Sequence, residues 1–364
     1  MEEKSETTTM MGLAARLYEK FKKSIDVLSR ASKIDVGTTP ADVVHRMDKA
    51  TLLHYHPTVK ETAPVPILVI YALVNRYYML DLQPDRSMIK NLLNAGFDVY
   101  LLDWGYPERG DRFLTLEDYI MGYMDESVDF IRNQSGTNSI TLFGICQGGT
   151  FCIIYSALYP EKVKNLVTVV SPFDTDTDEG LLNVWSKSMN VDKLVDIMGN
   201  VSGDFLNFAF LLLNPFRLMF HKYVDFLENL EDENFVTNFV RMERWIFDSP
   251  DQAGEAFRKF IKEIYQQNLL AKNRFYLGGK HVDLNKIKMP VLNVFAEFDH
   301  LVPPSSSRPF TEAIPSKDKQ MLSFNTGHIG IFVGSRSQKE VCPKIAEWLK
   351  PRSQIAPRES EKKR

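Results

Sequence analysis

One pentapeptide, Gly144-Ile145-Cys146-Gln147-Gly148, constrains this chain more than any other stretch. A Gly-x-nucleophile-x-Gly run puts its central residue on a sharp turn from a strand into a helix, where the flanking glycines remove side chains that would clash. Cysteine stands here where serine is usual. The surroundings fit that geometry: 139–145 reads as a buried strand and 150–158 as an apolar helix. By itself, a cysteine after a strand is as readily a small buried apolar residue. The run acquires meaning only from partners elsewhere in the chain.

Those partners occur in a telling order. A proline-led apolar strand, 290–296, runs into Glu297-Phe298-Asp299-His300, and a short strand, 320–324, precedes a glycine-flanked loop holding His328. Functional groups gather at the carboxyl ends of strands in open parallel sheets, and nucleophile, acid, histidine is the chain order of the α/β-hydrolase fold. Cys146, Asp299 and His328 are therefore the candidate triad. The imidazole takes the thiol proton, the carboxylate fixes its tautomer, and the thiolate is a strong nucleophile at neutral pH. His300 is the second candidate for the histidine, and Glu297, nearer the strand, is the rival acid. Asp299 alone would serve equally as a cap for the helix suggested by Pro303-Pro304-Ser305-Ser306-Ser307. The backbone N–H groups of Gln147 and Val74 are the expected oxyanion hole, Val74 lying in the loop after strand 66–72.

Strand 66–72, helix 87–95, strand 98–103, helix 115–133, strand 139–145, helix 148–159 and strand 165–171 alternate, and the alternation resumes near residue 286. A last helix is expected from 338 to 349. The fold class is thus α/β: an α/β-hydrolase fold with a mostly parallel central sheet flanked by helices and a helical cap insertion. The expected divisions are an N-terminal helical extension at 1–45, a core at 46–173 and 286–352, a cap at 174–285 and a polar tail at 353–364. Leu13, Leu17, Phe21, Ile25 and Leu28 recur at helical spacing in the extension. The most apolar run of the cap, 205–213, is too short for a membrane span, which needs about 20 residues, so no transmembrane segment is expected.

A formal net charge of −3, with no basic block except Lys362-Lys363-Arg364, gives no reason to expect nucleic acid. Three cysteines, Cys146, Cys152 and Cys342, are odd in number and lack metal spacing, so reduced thiols and a cytoplasmic location are expected, with no metal. The acidic, polar start is no secretory signal. No Walker loop or dinucleotide fingerprint occurs, and no cofactor is expected.

The motifs together resemble a known family. Gly-Ile-Cys-Gln-Gly-Gly at 144–149, Tyr-Ala-Leu-Val-Asn-Arg at 71–76, Asp-Trp-Gly at 103–105, the run from Trp245 to Glu255, Asp299-His300 and Gly327-His328 are similar to poly(3-hydroxyalkanoate) synthases, over about residues 35–350. The length is most similar to the short catalytic subunit of the two-component class III enzymes, with class IV relatives close. The resemblance implies that Cys146, Asp299 and His328 are nucleophile, acid and histidine. It also implies a 3-hydroxyacyl-coenzyme A substrate, short-chain units such as 3-hydroxybutyryl, and a growing polyester bound to the enzyme. Coenzyme A is then part of the substrate and a product. A second subunit (class III E-type or class IV R-type), homodimerisation and association with polyester granules are further implications. The competing expectations are a thioesterase or esterase with the same triad, and a granule-coat protein on an inactive hydrolase fold.

Overall fold

The computed structural model describes residues 35–213 and 222–354. An eight-stranded sheet organises residues 37–205 and 249–354. Its strands are β1 (Ala41–Met47), β2 (Ala50–Tyr55), β3 (Ile67–Ile70), β4 (Val99–Asp103), β5 (Ile140–Ile145), β6 (Val163–Val169), β7 (Val291–Ala296) and β8 (Lys319–Phe324). Their spatial order is β1-β2-β4-β3-β5-β6-β7-β8. The β1–β2 and β2–β4 pairs are antiparallel, and every neighbouring pair from β4 to β8 is parallel. Every residue of β3, β5 and β7 is buried, because the parallel part is covered on both faces; this is why their sequences are unbroken apolar runs.

The helices α1 (Met88–Asn94), α2 (Asp125–Ser135) and α3 (Gln147–Leu158) belong to this alternating part. All of α3 except Leu158 is buried, as a helix apolar all round must be. The expected helix at 115–133 is two pieces: Asp118–Met124 winds in wide π-type turns, then α2 runs to a left-handed Gly136 at φ 65°.

Between β6 and β7 the chain is mainly helical: α4 (Leu181–Ser188), α5 (Val191–Met198), α6 (Gly203–Leu212), α7 (Lys222–Glu228), α8 (Glu233–Phe247) and α9 (Gly254–Lys259). The expected single cap at 174–285 is divided differently. Residues 174–205 and 249–285 belong to the compact unit of the sheet, and Leu206–Asp248, with Asp35 and Val36, form a second compact unit. In the second unit Val236 is fully buried, Phe226 stacks on Phe239 with centroids 4.1 Å apart, and Lys222 pairs with Glu243 at 2.6 Å. In the first unit the run after Trp245 is structural. Asp251 accepts the Gly203 N–H at 3.0 Å, and Val201 bridges Gln252 in antiparallel fashion.

Three further boundaries differ from expectation. Residues 41–45, assigned to a helical extension, lie in β1. This edge strand exposes Val43 and follows no buried–exposed alternation, so its sequence carries no period-two signal. The amphipathic helix expected at Leu13 to Leu28 lies outside the described residues. The last α-helix, α10 (Cys342–Leu349), starts later than 338. Pro343 has no N–H to close a preceding α-turn, and Ser337–Val341 winds more widely. Ser353, assigned to the polar tail, is buried; its hydroxyl donates to Leu349 O at 2.9 Å and its carbonyl accepts the Val65 N–H at 3.3 Å. Residues 355–364 lie outside the described residues.

The tightest point of the fold is the turn from β5 into α3. A Cβ on Gly148 would lie 2.2 Å from Ile70 O of β3, and one on Gly144 would lie 2.4 Å from Gly149 Cα. Both obstacles are backbone, which has no flexible end to move aside. Gly148→Ala is therefore expected to destabilise the protein by about 3 kcal/mol or more, as forced backbone strain does. An unchanged midpoint in denaturant-induced unfolding would contradict this account of the turn.

Candidate active site

Cys146 sits between β5 and α3 at φ 51° and ψ −123°, a conformation that costs a non-glycine residue free energy and persists only where its surroundings hold it. The hold is visible. The Cys146 N–H donates to Val169 O at 2.9 Å, and its carbonyl accepts the Gly149 N–H at 2.9 Å. The side chain is half-buried, whereas Cys152 and Cys342 are buried. Burial pushes the Cys152 thiol well above its ordinary pKa and the Cys342 thiol up to about 11.

The loops after β7 and β8 bring the other two side chains to the same end of the sheet. Glu297 N–H donates to Phe324 O at 2.9 Å and Phe298 N–H to Thr326 O at 3.0 Å, so the acid loop and the histidine loop are laced together. Asp299 is 4 % exposed. Its Oδ2 lies 2.6 Å from His328 Nδ1, and its Oδ1 accepts the N–H groups of Leu301 and Val302, both at 2.9 Å. The expected capping of the following helix by Asp299 does not occur, since Pro303 precedes Pro304–Ser307 there; one Asp299 oxygen closes its own turn and the other holds the histidine. His328 also feels the Cys146 side chain electrostatically. His300 is exposed, one residue on from the buried Asp299. Glu297 faces Arg308 at 3.6 Å instead.

Charge decides the resting state of the cluster. Burial alone lowers the His328 pKa. The Asp299 and Cys146 charges, with their hydrogen bonds, outweigh burial and push it up to about 10. The Asp299 carboxylate at 2.6 Å thus favours the imidazolium form of His328. The phenols of Tyr71 and Tyr265 are buried and feel the Cys146 charge, Tyr265 that of Asp299 as well, and burial drives both pKa values upward. Both phenols are thereby kept neutral. Tyr265 is on the π-type turn Phe260–Gln266 in a segment without any motif, and no local signal marks it.

On the electrophile side, Gln147 is buried and Val74 half-buried. The Leu73 N–H donates to Gln147 Oε1 at 3.0 Å. The Gln147 side chain therefore ties the loop after β3 to the start of α3, a role that reading it as a main-chain donor missed. Among the described residues no group of three or more His, Cys, Asp or Glu side chains is placed to hold a metal ion. No described helix is long and apolar enough to cross a membrane.

The three thiols should differ sharply. Iodoacetamide at pH 7 is expected to label Cys146 alone in the folded protein, with Cys152 and Cys342 reacting only on unfolding. His328→Gln should slow Cys146 labelling about tenfold or more by removing the imidazolium that favours the thiolate. Equal labelling of all three by peptide mapping, or an unchanged rate in His328→Gln, would contradict this electrostatic arrangement.

Comparison with known proteins agrees with the geometry. Residues 65–335 match the α/β-hydrolase fold family, and residues 24–92 match the N-terminal region of poly-β-hydroxybutyrate polymerase. The chain is similar in fold to a monoacylglycerol lipase from Paleococcus ferrophilus, at a TM-score of 0.52 and 20 % identity over 80 % of this chain and 96 % of the lipase. It is also similar to a Thermogutta terrifontis esterase, at a TM-score of 0.50 and 16 % identity, covering 86 % and 98 %. Poly(3-hydroxyalkanoate) polymerase subunit PhaC of Allochromatium vinosum is 51 % identical over 92 % of this chain and 94 % of its own length. The protein of the same name from Synechocystis is 48 % identical, over 92 % and 91 %. With a cysteine elbow, a histidine–aspartate pair behind it and identity of this extent, the chain belongs to the poly(3-hydroxyalkanoate) polymerase family of α/β-hydrolase-fold acyltransferases.

Proposed function

We propose that the chain polymerises 3-hydroxyacyl-coenzyme A into polyhydroxyalkanoate through a thioester on Cys146, with short-chain units such as 3-hydroxybutyryl. The observation that carries the reading is the 2.6 Å bond from Asp299 to His328 beside a cysteine at the elbow. The Cys146 thiolate attacks the acyl carbonyl, and the oxyanion forms against the Gln147 and Val74 N–H groups. Collapse expels coenzyme A as a thiolate, and the His328 imidazolium gives it a proton. The neutral imidazole then takes the proton of the next unit's 3-hydroxyl, whose oxygen attacks the Cys146 thioester. Loss of the Cys146 thiolate completes the ester and restores the ion pair. Thioester exchange is near neutral in free energy, whereas thioester to oxygen ester runs downhill, so elongation drives the cycle. Coenzyme A enters as substrate and leaves as product, and no separate cofactor takes part.

Exclusion of water separates this outcome from hydrolysis by the same triad. Assembly with a second synthase subunit, of the class III E-type or class IV R-type, and with another copy of the chain belongs to the same proposal. It is supported by relatives named as polymerase subunits. Association of the working enzyme with the cytoplasmic granules it makes follows from a product that stays bound.

Supplied with 3-hydroxybutyryl-coenzyme A and a second subunit, the enzyme should accumulate polymer; accumulation of 3-hydroxybutyric acid alone would favour the thioesterase reading. Asp299→Asn should slow chain growth far more than acyl loading. Its charge raises the basicity of His328, and a hydroxyl, a much weaker acid than a thiol, needs that basicity more. The sign of the pH effect follows. His328 is held protonated up to about pH 10, so the alkaline limit of thiolate–imidazolium function lies there. Asp299→Asn should move that limit toward the ordinary histidine value of about 6.5. Equal slowing of both steps and an unmoved limit in rapid-quench measurements would contradict this role of Asp299.

A further inference from the structure

We infer that Arg76, through its buried ion pair with Asp103, is a positioning residue that fixes the oxyanion loop. The inference rests on the acyl-transfer reading above, in which Val74 supplies an oxyanion donor. That loop, 71–76, leaves β3 and is held along its length. At its start, Trp104 Nε1 donates to Tyr71 O at 2.9 Å. In its middle, the Leu73 N–H donates to Gln147 Oε1 at 3.0 Å. At its end, Arg76 Nη2 donates to Asp103 Oδ2 at 2.8 Å and Nη1 to Gly105 O at 3.2 Å. The arginine is 9 % exposed, and its guanidinium lies 4.3 Å from the Tyr106 ring centroid and 5.2 Å from that of Tyr77.

Asp103, Trp104 and Gly105 together form the anchor. The second oxygen of Asp103 accepts the Gly105 N–H at 3.0 Å. Gly105 stands at φ 73°, and a Cβ there would lie 2.4 Å from Lys49 O, so only glycine fits. Between Val74 and Arg76, Asn75 adopts φ 57°, a left-handed conformation that the flanking contacts must maintain. The free-energy logic is one of placement. Oxyanion donors act only when aimed at the point where charge develops, and a displacement of about 1 Å in a reacting arrangement costs on the order of a hundredfold in rate. A planar fork that grips a carboxylate and a carbonyl while stacking on tyrosine is a task for arginine and not for lysine.

The test compares two reactions of the same sulfur. Acylation by 3-hydroxybutyryl-coenzyme A passes through an oxyanion; alkylation by iodoacetamide displaces iodide at a saturated carbon and forms none. In Arg76→Lys, which keeps a cation beside Asp103, single-turnover acylation of Cys146 should fall roughly ten- to a hundredfold. Alkylation of Cys146 should stay within about twofold of the wild type. Asp103→Asn should give the same split. Unchanged acylation in a folded variant, or a parallel fall of both reactions, would overturn the inference. Absence of acyl on Cys146 in the wild-type enzyme would instead overturn the parent reading, and this inference with it.

Discussion

The backbone of Cys146, held at φ 51°, is the constraint on which the rest of the molecule depends. That conformation aims a side chain out of the end of the sheet, and it survives because β3 and α3 meet with no side chain between them. Gly148 against Ile70 O makes β3 and β5 obligatory neighbours. Once β5 is central, the loops after β3, β7 and β8 all open at its carboxyl end, since β3 to β8 run parallel. The loop after β3, Asp299 and His328 thus share the end of the sheet where Cys146 lies because of strand order.

The electrostatics build on that placement. A buried imidazole would ordinarily be neutral, but the Asp299 carboxylate at 2.6 Å, with the influence of Cys146, opposes that preference. Asp299 is fully engaged by three donors, counting the protonated ring, so it neither swings nor leaves an unsatisfied oxygen. Cys152 is only six residues along the chain from Cys146, yet its thiol is enclosed in the apolar core, and burial pushes its pKa up. The same atom type is thus enclosed in one place and half-buried in the other.

Much of this was legible in the sequence. The Gly-x-Cys-x-Gly run, the strand-end Asp299 and the loop-borne His328 are local signals with a fixed chain order, and the structure brings the three together. The parallel strands were legible because burial on both faces makes them continuous apolar runs. What escaped is what depends on distant partners. β1 is an exposed edge strand whose pairing with β2 leaves no alternation. Tyr265 reaches the neighbourhood of Cys146 across more than a hundred residues of chain, from a helical segment without a motif. The Arg76–Asp103 pair joins two motifs that were read separately, because a charge pair formed across a sheet end has no spacing rule. Ser353 looked like the beginning of a solvated tail, and only its contacts with Leu349 and Val65 give it a buried place.

Everything in the account passes through one covalent intermediate. The most direct measurement is mass spectrometry of the enzyme quenched within a single turnover of 3-hydroxybutyryl-coenzyme A, followed by peptide mapping. The account predicts one hydroxyacyl group on the peptide containing Cys146, cleaved by hydroxylamine at neutral pH as a thioester and forming before polymer. Acyl groups confined to any other residue, or polymer made with Cys146 never acylated, would contradict it.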